Sequence, residues 1–172
     1  GKYLWTLILP HPLVCDMGYP QYKAVGFDDW RALLGFFVYL GMGIWALMNM
    51  GKKHILSYAI LFYLIFFSLF SNVLFLIGTS YGERLQYMPS FGFALALAWG
   101  ICKLFKIDEL RNIWNPNGKG AAIWGFAGVI IALYSIKTIT RNPAWENSAT
   151  LYAADLPNSP NCAKLNYHNA LE

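Results

Sequence analysis

Charge is what this sequence lacks most. Lys, Arg, Asp and Glu together make up 13% of its 172 residues, about half the share of an ordinary soluble domain. Hydrophobic residues reach 57% and mean hydropathy is +0.39. A chain of this size with so few charges cannot cover its own surface for water, so the bilayer must be the solvent for much of it. Cysteine is scarce as well: Cys15, Cys102 and Cys162 form neither a CxxC pair nor a metal spacing. Cys102 lies in an apolar run and reads as packing, and Cys15 and Cys162 are not expected to meet. The net charge of +4 is scattered, with no basic run beyond Lys52-Lys53, which excludes a nucleic-acid footprint. There is no HExxH, nucleophile elbow or kinase signature, and Gly118-Lys119-Gly120 lacks the phosphate-loop spacing. An initiator Met and a signal peptide are missing too. With a last helix that reads as unfinished, the chain is expected to be a piece of a longer protein.

What is present is aromatic and apolar. Aromatics make up 17%, as in chains whose Trp and Tyr collect at membrane interfaces. Four apolar stretches stand out: Ala32 to Met48, Ile55 to Ile77, Phe91 to Phe105 and Ala121 to Ile136. The first two carry no charge, and the second is long enough to cross roughly 30 Å of hydrocarbon at about 1.5 Å per residue. The third is short unless the preceding LQYMPS continues it; the fourth is short too, with Lys137 placed to snorkel at its end. Tyr3 to Leu9 reads as the end of a further span, stopped by Pro10 and Pro12. The expected fold is all-α: an integral membrane bundle of about four spans, followed by a helical-repeat start.

Lys and Arg set the expected orientation. The 49–54 and 103–120 loops hold Lys52, Lys53, Lys103, Lys106, Arg111 and Lys119; the 10–31 and 78–90 loops hold only Lys23, Arg31 and Arg84. The positive-inside rule puts the richer pair in the cytoplasm and the poorer pair, with the C-terminal tail, outside. The expected divisions are 1–31 (end of a span and outer loop), 32–140 (membrane bundle) and 141–172 (extracytoplasmic helices). In that tail RNPAWENSATLYAADL carries Trp145, Ala149, Tyr152 and Leu156 at helical spacings, PNSP breaks the helix, and NCAKLNYHNALE begins another. The pattern is that of a join between tetratricopeptide repeats, with Pro160 near a repeat's end. A plain amphipathic hairpin with no repeat after it is the alternative.

The segment most informative about chemistry is IGTSYGERLQYMPS, between the second and third spans. Glu83 and Arg84 stand there at the membrane edge beside several hydroxyls. A guanidinium at that depth suits a phosphate, because its planar fork bonds bidentately and keeps its charge when partly buried. The competing expectation is an interfacial Arg held by Glu83 or by phospholipid headgroups. His11 and Asp16, in PHPLVCDMGYPQY, have side chains able to serve as acid, base or ligand, although a His between two prolines also fits a solvated turn. Asn72 falls within the second stretch, where an amide needs a partner in the bundle interior.

SNVLFLIGTSYGERLQYMPSFGF resembles the corresponding block of the TMTC-type membrane proteins and their bacterial relatives. These are GT-C-class glycosyltransferases with a membrane domain followed by tetratricopeptide repeats. YLWTLILPHPLVCDMGY and the tail are similar to the flanking segments of that family, so the likeness touches most of the chain. It implies transfer of a sugar, mannose or similar, from a polyprenyl-phosphate donor to a protein hydroxyl on the outer face. Glu83, Arg84, Tyr87, Ser90, Asn72 and Asp16 match the family's pattern; Glu83, Arg84 and Tyr87 are the expected lipid-phosphate residues, and Asp16, Asn72 and Ser90, with His11 on its own chemistry, are the expected site-lining ones. Ser71, Gly78, Thr79 and Pro89 also match the family's pattern. Met17-Gly18 and Gln86 depart from it, which bears on the donor and acceptor more than on the class. The family's catalytic carboxylate is expected upstream, so no base is assigned here and this piece alone is expected to be inactive. Implied partners are membrane lipid, the lipid-linked sugar and, through the repeats, a protein acceptor or partner. No cofactor or bound metal is assigned, and a need for a divalent ion is left open. The absence of any Asn-x-Ser/Thr sequon favours a bacterial inner membrane over the endoplasmic reticulum. A non-enzymatic, membrane-anchored repeat scaffold is the alternative function.

Overall fold

The computed structural model describes residues 2–18, 29–72, 81–106, 114 and 119–171. Among the described residues the α-helices are, in chain order, α1 Lys2–Ile8, α2 Trp30–Met50, α3 Ile55–Phe70, α4 Tyr87–Leu104, α5 Lys119–Arg141, α6 Ser148–Asp155 and α7 Ala163–Leu171. Three helical stretches among the described residues are long and apolar enough to cross a membrane: Trp30–Met50, Glu83–Leu104 and Gly120–Trp145. Their outward side chains, among them Phe37, Leu47, Ile131 and Leu133, are exposed, as suits helices whose surroundings are hydrocarbon. Among the described residues there is no strand, only an isolated bridge between Met17 and Tyr81.

The spans differ from expectation mainly at their ends. α2 starts at Trp30 because Asp29 caps it, its carboxylate accepting from the Arg31 amide at 2.8 Å. α3 was expected to run to Ile77, but it ends at Phe70, at 16 residues. Asn72 adopts φ 57° just beyond the Ser71 cap, the left-handed conformation that closes helices and that Asn tolerates. Residues 73–77, with Gly78 and Thr79, lie outside the described residues. Asn72 therefore stands just past the C-terminal end of α3. α4 is longer than Phe91 to Phe105, since a 3-10 turn, Glu83–Gln86, leads directly into Tyr87. Pro89 is accommodated in its first turn, where an N–H would have no intrahelical partner. α5 also overruns its expected end at Ile136, so Lys137 lies within the helix.

Close backbone approach holds α3 on α4. A Cβ on Gly92 would lie 2.5 Å from the Ala59 carbonyl oxygen and 2.8 Å from the Tyr63 nitrogen, so only glycine fits that crossing. α2 joins through stacked Tyr39, Tyr63 and Phe67. α5 meets α4 through Ile101, Ile123, Leu97 and Ile130, and the Tyr134 hydroxyl bonds the last carbonyls of α1, at Leu7 and, 3.2 Å away, Ile8.

The two ends of the bundle differ in kind. At one, the α2–α3 turn with Lys52 and Lys53 lies near the end of α4 through His54, whose ring contacts Trp45 and Trp99. The other end gathers residues 14–17, the 81–86 turn, the end of α5 and the whole α6–α7 pair. A buried cluster of Val14, Cys15, Met17, Tyr81, Cys162 and Leu165 lies at its centre, with Leu151, Tyr152 and Leu156 packed against it. The tail thus docks on the loop that follows α1. Its first helix was expected to be continuous from Pro143 to Leu156, but it breaks after the 3-10 turn Asn142–Trp145. Asn147 then caps α6, its side chain and that of Thr150 bonding each other's backbone. Cys15 and Cys162, not expected to meet, share this cluster as unpaired thiols.

Candidate functional site

Two segments distant in sequence make the floor of the second end. Met17 and Tyr81 exchange backbone hydrogen bonds of 2.6 and 3.1 Å, and the Glu83 amide donates to the Val14 carbonyl at 3.0 Å. Gly82 permits this, since a Cβ there would stand 2.7 Å from the Cys15 carbonyl oxygen. Gln86, a departure from the family pattern, ties the turn to α1 by donating to the Tyr3 carbonyl at 2.6 Å and to the Thr6 hydroxyl at 2.9 Å.

Above the floor lies a buried ionic cluster. Glu83 Oε1 accepts from Arg141 Nε at 3.1 Å, from Arg141 Nη2 at 3.0 Å and from Trp145 Nε1 at 3.0 Å. The same Nη2 stands 2.7 Å from Asp155 Oδ1, an ion pair without the alignment of a hydrogen bond. Asp155 is fully buried, and its other oxygen accepts from the Cys15 amide at 2.7 Å. One cation is therefore shared by two carboxylates, the partly exposed Glu83 of the membrane-edge turn and the fully buried Asp155 of α6. Breaking such a cluster by removing one partner costs about 3–5 kcal/mol, because the remaining charge stays buried.

Beside this cluster is a cleft of about 90 Å³ lined by Cys15, Asp16, Arg84, Trp145, Tyr152 and Lys164, with Leu151 and Leu165 behind. Arg84 is exposed, and among the described residues no hydrogen bond or ion pair engages it. Asp16 is buried and holds the Lys164 ammonium in an ion pair. Burial, and then the hydrogen bond and charge of Asp155, push the Cys15 thiol up to about 12, so it faces the cleft as an inert neutral group.

The residues singled out by sequence thus separate. Arg84 and Asp16 share the cleft. Glu83, expected beside Arg84 as its partner, is instead taken by Arg141 and Trp145. Tyr87 is exposed at the start of α4 and lines a different, apolar depression with Met88, Ser90 and Phe91. Ser90 bonds the Tyr87 carbonyl at 2.7 Å within the first turn of α4. His11 is exposed in the turn after α1 and lines none of these surfaces. Asn72 is at the end of α3. Sequence reasoning missed Arg141, Asp155 and Lys164. The available signal was faint: a cation ending an apolar run, and an acid inside an otherwise apolar helical stripe.

No family model matches the chain, and no solved structure matches it. It is 32% identical over 176 residues to the protein O-mannosyl-transferase TMTC3 of Mus musculus, an alignment covering 98% of this chain and 18% of that one. The Homo sapiens TMTC3 gives the same identity and coverage. The protein O-mannosyl-transferase TMTC4 of Homo sapiens is 27% identical over 172 residues, or 95% of this chain and 22% of its own. The chain spans about a fifth of the length of these curated relatives.

Proposed function

Because this chain belongs to the TMTC-type family, we propose that it is the part of a membrane glycosyltransferase that receives the lipid-linked donor. In this proposal the whole protein moves a sugar, mannose or similar, from a polyprenyl phosphate to a protein hydroxyl. The end of the bundle carrying Arg84 and α6–α7 faces away from the cytoplasm, and α6–α7 begin a tetratricopeptide array. The names of the relatives support the class, and the Lys and Arg asymmetry supports the orientation. The observation that carries the donor assignment is the state of Arg84: at the mouth of α4, exposed, and engaged by no described side chain while Arg141 occupies Glu83. A guanidinium so placed is available to a phosphate at headgroup depth.

The test is transfer by the whole protein with acceptor saturating and donor limiting. A charge-assisted bond to phosphate contributes roughly 1.5–3 kcal/mol, so Arg84→Ala is expected to slow transfer about tenfold to a hundredfold. Arg84→Lys keeps the charge but loses the fork and is expected to fall between. Wild-type transfer by a normally melting Arg84→Ala protein excludes the phosphate role and leaves Arg84 as an interfacial anchor, whereas a folded wild-type protein that transfers no sugar favours the membrane-anchored scaffold.

A further inference from the structure

We propose that Lys164 of α7 is a second phosphate-binding residue, so that the lipid-phosphate site straddles the membrane bundle and the helical pair docked on it. The inference rests on the donor reading of Arg84 and extends it to a residue outside the membrane domain. Arg84 and Lys164 come from elements far apart in sequence, yet line one cleft at the end where α4 emerges from the apolar zone. Two cations face a single carboxylate there, Asp16. Lys164 is half exposed, its side chain 51% accessible. An ammonium has three N–H donors, so one ion pair leaves it able to bond a second anion. Arg84 contributes a fork that no described group occupies. The cleft, of about 90 Å³, has room for a small anion such as a phosphate head. Leu151, Tyr152 and Leu165 behind the cleft reduce local screening, which strengthens attraction to the bound anion. The sugar-bearing donor is a phosphodiester with one negative charge, and loss of the sugar leaves a phosphate monoester carrying about −1.5 to −2 charges at neutral pH, so two cations suit the carrier phosphate as its charge grows during transfer.

In this arrangement Asp16 competes with the ligand for Lys164. The two halves of the pair therefore act in opposite directions on binding, which a merely structural ion pair would not do. The experiment is equilibrium binding of polyprenyl phosphate to the whole protein in nanodiscs of neutral lipid, repeated with phosphatidylglycerol as the only anionic lipid. Lys164→Gln is expected to weaken binding about tenfold, the effect of one charge-assisted bond. Lys164→Arg is expected to retain most of it. Asp16→Asn, which keeps the shape and lifts the competition, is expected to tighten binding about threefold. Melting of each variant shows that the comparison is between folded proteins. Preference for polyprenyl phosphate assigns the site to the lipid carrier's phosphate, and equal capture of phosphatidylglycerol assigns it to headgroups; dependence on Lys164 supports the two-cation site in either case. If Arg84→Ala weakens binding and Lys164→Gln does not, the second cation is excluded and the donor reading stands. If neither folded variant binds less, both fall. Equal weakening by Asp16→Asn and Lys164→Gln reduces the pair to a structural one and overturns the proposal.

Discussion

At the scale of single residues, Cys15 shows how position sets reactivity. Its amide is bound to Asp155 and its side chain is buried beside that carboxylate, which together with burial raises the thiol from an ordinary 9.0 to about 12. The raised value means that the native state prefers the neutral thiol. The preference is fully present below pH 9.0 and is lost as pH rises through about 12. Since the thiolate is the nucleophile, native Cys15 is expected to resist maleimide at pH 8, whereas the denatured chain labels readily. Peptide mass spectrometry before and after denaturation measures both. Fast native labelling at pH 8 would show that the 14–17 segment is not docked.

At the scale of elements, the α3–α4 crossing depends on Gly92. Gly92→Ala puts a methyl group where the Ala59 carbonyl and Tyr63 backbone already stand. Overpacking of this kind costs about 1–3 kcal/mol, so the variant is expected to melt lower in detergent, while Gly41→Ala, with open space around it, is not. Melting curves of the two decide it. Sequence alone located the bodies of these helices, because an uncharged run such as Ala32 to Met48 has few alternatives. It did not locate their ends. The end of α3 was hidden because the positive φ of Asn72 is set by the chain around it, and the sequence left open whether LQYMPS continued the third stretch, which it does from the 3-10 turn onward. The break at Asn147 was hidden because Trp145, Ala149, Tyr152 and Leu156 keep helical spacing across it. The site was legible to the same degree. Arg84 stood out as the lone cation of its loop, but its neighbours did not. Asp16 and Lys164 are 148 residues apart and Glu83 and Arg141 are 58 apart, and nothing local says which cation a carboxylate meets.

At the scale of the whole molecule, three separate segments end on one side of the bundle. Single cysteines at Arg84 and Asn158, both exposed in the structure, placed in a background lacking the native three, are therefore expected to react together with an impermeant thiol reagent added outside. One at Lys53, at the opposite end, is expected to react only after permeabilisation. Reversed labelling would invert the proposed orientation, and split labelling of Arg84 and Asn158 would contradict their shared end. The shared cluster also has a consequence for biogenesis. The acceptor for the Cys15 amide lies 140 residues downstream, and Cys162 and Leu165 complete the packing around Val14 and Met17. While the chain is still emerging from the ribosome, the early loop has neither its hydrogen-bond partner nor its apolar cover. A nascent chain stalled before residue 155 leaves Val14 and Met17 uncovered, a mark that chaperones and proteases can recognise. The earlier loop therefore completes its packing only when the tail has been made.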